Sequence, residues 1–255
     1  AYQAKSRQTA ESMKAVLTTG PFVNLSVQSN APWVNEGVPN SSAPFILCLQ
    51  LESFADFRRI YAHAQAFTQA GSIALPAWDQ LCSHAWATGS LRVPAFGANT
   101  VRSEFEFLLG VPVEQLGVHG FEPYQWLDRH VQDQCPAALP AALSGLGFKN
   151  VFVHPYDHAF YRRNQVMPKL GFDLFVDARA FETNVPDGSS ATSVEGINGY
   201  ISDAALGMKL VQLIQAQAAS ESLFLHAVTM QGHGPYVSGR RPHTPDLVFG
   251  KYQAC

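Results

Sequence analysis

PFILCLQLES, residues 44–53, decides how this chain must be read. From Phe45 to Leu51 the run is almost continuously apolar, with no alternation of oily and polar positions. Such a segment has no face to turn to water, and this predicts a strand buried on both sides, central in a parallel sheet. Its last apolar residue is followed at once by Glu52. A carboxylate therefore emerges at the carboxyl end of the strand, the edge at which open parallel sheets collect their sites.

Working outward, FADFRRIYAHAQAFTQAG (54–71) has helical character and stops at Gly71. SIALPAWDQLCSHAWATGSLRVPAF (72–96) contains another candidate strand, turns and a mobile-looking approach segment. NTVRSEFEFLLG (99–110) reads as a helix beginning beside Thr100. PAALPAALSGLGF supplies another helix, KNVFVHP a buried strand, YRRNQVMPKLGF a short helix and DLFVD a second strand. GYISDAALGMKLVQLIQAQAAS is an amphipathic helix that leads into the strand SLFLHAVTM. Alternating strands and helices predict an α/β fold, with a largely parallel central sheet and helices on both faces. Ahead of it, residues 1–43 read as a peripheral connector with a short helix at 7–17 and a short strand VNLSV; the main domain spans 44–255.

Composition narrows the function classes. With 47% hydrophobic residues the 255-residue chain can bury a core, and 15% charged residues with a net charge of −3 leave no basic field for nucleic acid. Its four cysteines lack CxxC spacing and do not form a zinc-ligand set; a Cys82–Cys135 bridge requires an oxidising compartment. No apolar run approaches the roughly 18 residues of a membrane span. The abrupt opening AYQAKSRQTAESMK suggests a processed or excised piece.

Candidate chemistry lies at the predicted strand exits. Glu52 offers oxygen ligands to a hard divalent ion, or it is an ordinary surface or capping carboxylate. Thr100 sits at the predicted N-cap, where its hydroxyl either bonds the first turn, helped by Glu104, or becomes a nucleophile beside an anion held at the helix N-terminus. Asn99 either holds a phosphate oxygen or forms a turn. His154 ends the strand KNVFV. Tyr161 and Arg163 follow it, as packing and surface residues or as a contact surface and a directional phosphate donor. His233, between glycines in TMQGHGPY, is placed to donate to a phosphoryl oxygen or to organise its loop. His226, inside the last strand, reads as a satisfied and partly buried histidine.

Taken in order, FILCLQLESF, GANTVRSEFEFLLG, FVHPYDHAFYRRNQVMPKLGFDLF, GYISDAALG and FLHAVTMQGHGPY resemble the sulfatase-like part of the alkaline phosphatase superfamily. The nearer likeness is to the lipoteichoic-acid synthase and phosphoglycerol transferase branch. That resemblance implies a divalent metal, usually manganese, held by Glu52 and Thr100, with Thr100 as the nucleophile. It also implies substrate contacts from Tyr161 (in place of a tryptophan), Arg163 and His233, and Asn99 and His154 join them as substrate-binding candidates from their positions in the chain. The donor would be a phospholipid headgroup and the acceptor a glycan or lipid alcohol. The setting would be the extracytoplasmic face of a bacterial inner membrane or the periplasm, close to the membrane in a longer parent protein. No CxPxR-like signature of a typical sulfatase nucleophile is present. The branch also carries a later Asp–His metal pair, and the chain reaches LVFGKYQAC without one. Expectations therefore include a fragment of a transferase, a phosphodiesterase or sulfatase-like hydrolase, and an inactive headgroup- or glycan-binding relative.

Overall fold

Among the described residues, four parallel strands form one sheet in the order β1–β4–β2–β3. They are β1 (Phe45–Gln50), β2 (Phe148–Val153), β3 (Leu174–Val176) and β4 (Ser222–Val228). The computed structural model describes residues 43–54, 56, 58, 75–95, 99–181, 199–217 and 221–234. The expected helices at 7–17 and 54–71 and the strand VNLSV fall outside them, apart from a few residues at the start of 54–71.

β4 shows why the sheet is covered on both faces. Phe224 and Val228 point to one core, while Leu223, Leu225 and Ala227 point to the other. β2 repeats the pattern, with Phe152 on the first side and Val151 and Val153 on the second. Side chains two residues apart share a face, so an unbroken apolar run feeds two cores at once. The first core is closed by α2 (Thr100–Leu109), a 3-10 segment (Val113–Phe121), α3 (Pro123–His130), α4 (Leu139–Ser144) and α5 (Arg163–Lys169). The second is closed by α6 (Asp203–Gln217) and the turn carrying Phe181. Helices on both faces and a parallel sheet match the expectation.

The structure departs from or adds to several of these readings. Among the described strands β1 lies at the edge and not the centre: it pairs only with β4, and Phe45, Ile46, Leu47 and Leu49 are each about 40% exposed. An apolar run reports a demand for burial, not the neighbour that meets it; β4, flanked by β1 and β2, takes the buried position. Within 72–96 the described residues 75–95 contain a helix, α1 (Pro76–His84), and the start of the segment, SIA, lies outside the described residues. Pro76 enters at the first turn, where its fixed φ suits a helix and its missing N–H is no loss, and Asp79 and His84 match the dipole at the two ends. Cys82 carries a free thiol, so no Cys82–Cys135 bridge forms. His226 is fully buried, and neither ring nitrogen has a hydrogen-bond partner. It packs instead against the rings of Phe107 and Phe152.

Candidate active site

Glu52 leaves β1 into a turn pinned from the neighbouring strand exit. Its N–H donates to Thr229 Oγ1 at 2.8 Å, just beyond β4. The backbone of Gly232 presses on the same turn: a Cβ there would lie 2.7 Å from the Glu52 carbonyl oxygen, so only glycine fits without a shift. Ser53 takes a left-handed φ of 57° and its hydroxyl donates to Glu52 Oε1 at 3.2 Å.

Thr100 reaches the same carboxylate from the other side. It is the first residue of α2, one position inside the expected N-cap, and Asn99 before it adopts φ 64°, ψ 57° without a side-chain cap bond. The Thr100 hydroxyl donates to Glu52 Oε2 at 2.7 Å, across 48 residues of sequence, instead of capping the first turn. The leading N–H groups of a ten-residue helix thus open beside a paired hydroxyl and carboxylate.

Beneath this pair lies a buried ion cluster. Arg163, 1% exposed, donates through Nε to Glu104 Oε2 at 3.2 Å and through Nη2 to Glu104 Oε1. Tyr124 donates its hydroxyl to Glu104 Oε2 at 3.0 Å. Glu104 is therefore not a helper of the helix cap; it lies one turn below Thr100 with no exposure. Burial would raise its pKa, but the charge and hydrogen bonds of Arg163 outweigh that and hold it below the ordinary carboxylate value. The third nitrogen of Arg163, Nη1, is buried and unpartnered. The guanidinium lies 5.3 Å from the centre of the Tyr161 ring, and the Tyr161 hydroxyl reaches Asn99 Oδ1 at a long 3.5 Å. Tyr161 and Arg162 both take left-handed φ, 56° and 59°.

His154 follows β2 and is 2% exposed, with Nδ1 set 3.1 Å from the Val228 carbonyl oxygen. Burial, reinforced by the charge of Arg163, pushes its pKa down to about 3, so the ring is neutral near pH 7. Nδ1–H then donates to that carbonyl and Nε2 keeps its lone pair. His233 closes the turn after β4; its N–H donates to Met230 O at 3.0 Å and its Nδ1 lies 2.9 Å from Gly234 O. The structure thus joins Glu52 and Thr100 directly, and Asn99, Tyr161 and Arg163 through successive contacts. Neither His154 nor His233 hydrogen-bonds that group among the described residues.

Tyr124, Thr229 and Gly232 were not singled out from the sequence, and Glu104 was read only as a helper of the helix cap. One signal was available: Glu104 shares a helix face with Val101, Phe105 and Leu108, and a carboxylate on an apolar face demands a buried partner. The non-glycine residues with left-handed backbone among the described residues are Ser53, Asn99, Tyr161 and Arg162, each adjacent to or within one residue of a candidate site side chain. Such conformations cost on the order of 1–3 kcal/mol each and gather where geometry is overdetermined by function.

Glu52 Oε2 and Thr100 Oγ1 are hard oxygen donors 2.7 Å apart, a set that fits a hard divalent cation. Two donors would supply only part of a coordination sphere, and no group of three His, Cys, Asp or Glu side chains gathers among the described residues.

Residues 44–252 match the family described as Sulfatase. A capsular polysaccharide biosynthesis protein, RkpI, of Rhizobium meliloti (strain 1021) is 30% identical over 207 residues, 81% of this chain and 35% of that protein. A second protein of that organism, whose name refers to cyclic beta-1,2-glucan modification, is 33% identical over 152 residues, 60% of this chain and 21% of its own length. Among solved structures, the lipoteichoic acid synthase LtaP of Listeria monocytogenes superposes with a TM-score of 0.57 at 19% identity, covering 86% of this chain and 47% of that one. The chain therefore spans about a third of the first relative and a fifth of the second. The likeness to LtaP is one of fold.

Proposed function

Because the chain belongs to the sulfatase family of the alkaline phosphatase superfamily, we propose that it is part of a phosphoryl-group transferase of the cell envelope. In this reading a phosphoglycerol or phosphoethanolamine group passes from a phospholipid donor to a glycan or lipid alcohol, through an ester on Thr100. The carrying observation is the 2.7 Å hydrogen bond from Thr100 to Glu52 at the mouth of a helix N-terminus.

Thr100 Oγ1 attacks phosphorus while Glu52 Oε2, already holding the hydroxyl proton, draws it away. A new O–P bond forms on Thr100 and the bond from phosphorus to the donor alcohol breaks, with the departing oxygen protonated by a group such as His233. Developing charge on the phosphoryl oxygens meets the α2 amides and the unpartnered Nη1 of Arg163, whose other donors are fixed by Glu104. Asn99 and Tyr161 border the same space. The acceptor alcohol then attacks as the group that protonated the donor alcohol takes its proton, the Thr100–phosphorus bond breaks, and Glu52 returns its proton to the Thr100 oxygen. Glu52 and Thr100 would hold a divalent cation, manganese first, which when bound supplies positive charge to the phosphate and lowers the hydroxyl pKa. The domain boundary at 43/44 and a site on the extracytoplasmic face of the inner membrane or in the periplasm belong to this proposal. No helix among the described residues is long and apolar enough to cross a membrane.

The test uses the full-length protein with Mn2+ and labelled phosphatidylglycerol or phosphatidylethanolamine. Mass spectrometry should find the label on Thr100, and Thr100→Ala should abolish it. Label that leaves only to water assigns a phosphodiesterase. Headgroup binding with no label and no turnover, in protein that is folded and metal-loaded, assigns a binding domain and ends the transferase reading.

A further inference from the structure

Two clefts meet on α3, and together they lead away from the candidate nucleophile. The first, about 230 Å³, is lined by Val101, Tyr124, Tyr161 and Arg162, and it approaches the candidate site through Val101, next to Thr100 in the chain, and Tyr161, whose hydroxyl reaches Asn99. The second, about 170 Å³, lies against Phe121, Trp126, Arg129 and His130. Glu122 and Gln125 line both. Each cleft is smaller than the roughly 300–1,000 Å³ of common ligand sites, and the pair joined end to end falls within that range.

The lining alternates ring faces with hydrogen-bonding groups. The exposed His130 ring, backed at 4.9 Å by the buried Trp126 with planes 19° apart, and Phe121, 65% exposed, offer ring surface, and Tyr161 flanks the end nearest Thr100. Between them Glu122, Gln125 and Arg129 present carboxylate, amide and guanidinium groups. An acyl chain would leave those polar groups without partners, whereas a sugar offers hydroxyls at its rim and C–H faces for the rings. The walls are also fixed in place. Asp128 of α3 holds Arg162 and Lys169, each at 2.9 Å. A Cβ at Gly120 would collide with the Val113 carbonyl oxygen, so the turn carrying Phe121 packs tightly on itself. Fixed walls lower the ordering cost of binding.

We propose that this cleft is the acceptor subsite and that it takes an oligosaccharide, with a sugar hydroxyl presented at the Thr100 end. The inference rests on the transferase reading for its purpose, but the binding event can be tested without turnover. Calorimetric titration of the full-length protein with cyclic beta-1,2-glucan should give saturable binding. Phe121→Ala and Gln125→Ala should each weaken it at least tenfold, at an unchanged Tm because the first side chain is exposed and the second half-buried. Thr100→Ala should bind the glucan as the unaltered protein does. No saturable binding, binding undiminished in both cleft variants, or competition by phosphatidylglycerol vesicles for the same residues would each overturn the proposal. Thr100 labelling alongside unaffected glucan binding in the variants would sink the cleft alone. Glucan held in the cleft without Thr100 labelling would sink the transferase reading alone.

Discussion

The candidate site is built from two unlike halves. On the α2–α5 side, Thr100 and Arg163 stand on helices closed over a continuous core, with Glu104, Tyr124 and Arg163 excluded from water. On the β1 side, Glu52 hangs from a strand whose large side chains stay about 40% exposed, and its turn is held by two hydrogen bonds with Thr229, from the Glu52 N–H to Oγ1 and from the Thr229 N–H to Gln50 O, and by the close approach of Gly232. The contrast locates rigidity: the helical half sets the position to which Glu52 must come. Breaking the helical half should cost global stability, while breaking the β1 half should cost site geometry.

The largest effect is expected at Glu104. Glu104→Gln keeps the shape but leaves the Arg163 charge buried without its counter-ion, which should lower unfolding free energy by about 3–5 kcal/mol. Glu104→Leu with Arg163→Met removes both charges and should recover most of that loss. Chemical denaturation of the three proteins checks this. Equal losses in the single and double variants would show that packing volume, not charge, holds this half together.

The next effect comes from pH. His226 has its pKa pushed down to about 4, burial being the main cause, and His154 to about 3. An unfolded chain protonates its histidines from about pH 6.5 downward, while the folded protein resists until near those lower values. The unfolded state therefore binds more protons as pH falls. Stability is full above about pH 6.5 and declines below it, by up to about 1.4 kcal/mol per pH unit for each histidine. Urea midpoints between pH 7 and pH 4 test the trend, and His226→Leu should flatten it. A slope unchanged by that substitution would remove His226 from the account.

Thr229→Val probes the β1 half. It deletes the acceptor for the Glu52 N–H at nearly constant volume, at a cost of roughly 1 kcal/mol. Labelling of Thr100 should fall more than stability does, because the Glu52 carboxylate loses its anchor. A fall in stability with labelling intact would mean that the backbone bond from Thr229 to Gln50 and the close approach of Gly232 suffice to position the turn.

The fold and the site were legible to different degrees, for physical reasons. The strand exits at Glu52 and His154 and the helix start at Thr100 follow from local patterns: an apolar run that ends in a polar residue, and a turn followed by helical spacing. Position within the sheet does not follow, because PFILCLQ and SLFLHAV make the same local demand and only the pairing decides that β4 is interior and β1 lies at the described edge. Arg163 read as a surface or phosphate-binding charge because its partner sits 59 residues away in a segment that reads simply as an amphipathic helix. The stretch 113–130, which forms a 3-10 segment and α3, had no reading at all. Its proline, glycines and histidines give no sustained period, and that stretch supplies the cleft beside Thr100.

The smallest effect should come from the strand whose sequence asks most loudly for burial. Leu47, 41% exposed, loses little contact when replaced, so Leu47→Thr should change stability by no more than about 0.5 kcal/mol, as other surface substitutions do. Leu225, fully buried on β4 and paired in register with Leu47, provides the control: Leu225→Ala should cost about 2–5 kcal/mol. The two measurements belong in both the 255-residue chain and the full-length protein. If Leu47→Thr is neutral in the first and costly in the second, the apolar faces of β1 are covered by residues outside this chain. The two halves of the site would then become equally rigid in the whole protein. If it is neutral in both, the looseness of the Glu52 strand is intrinsic, and closing the Glu52–Thr100 contact must be driven by what binds there.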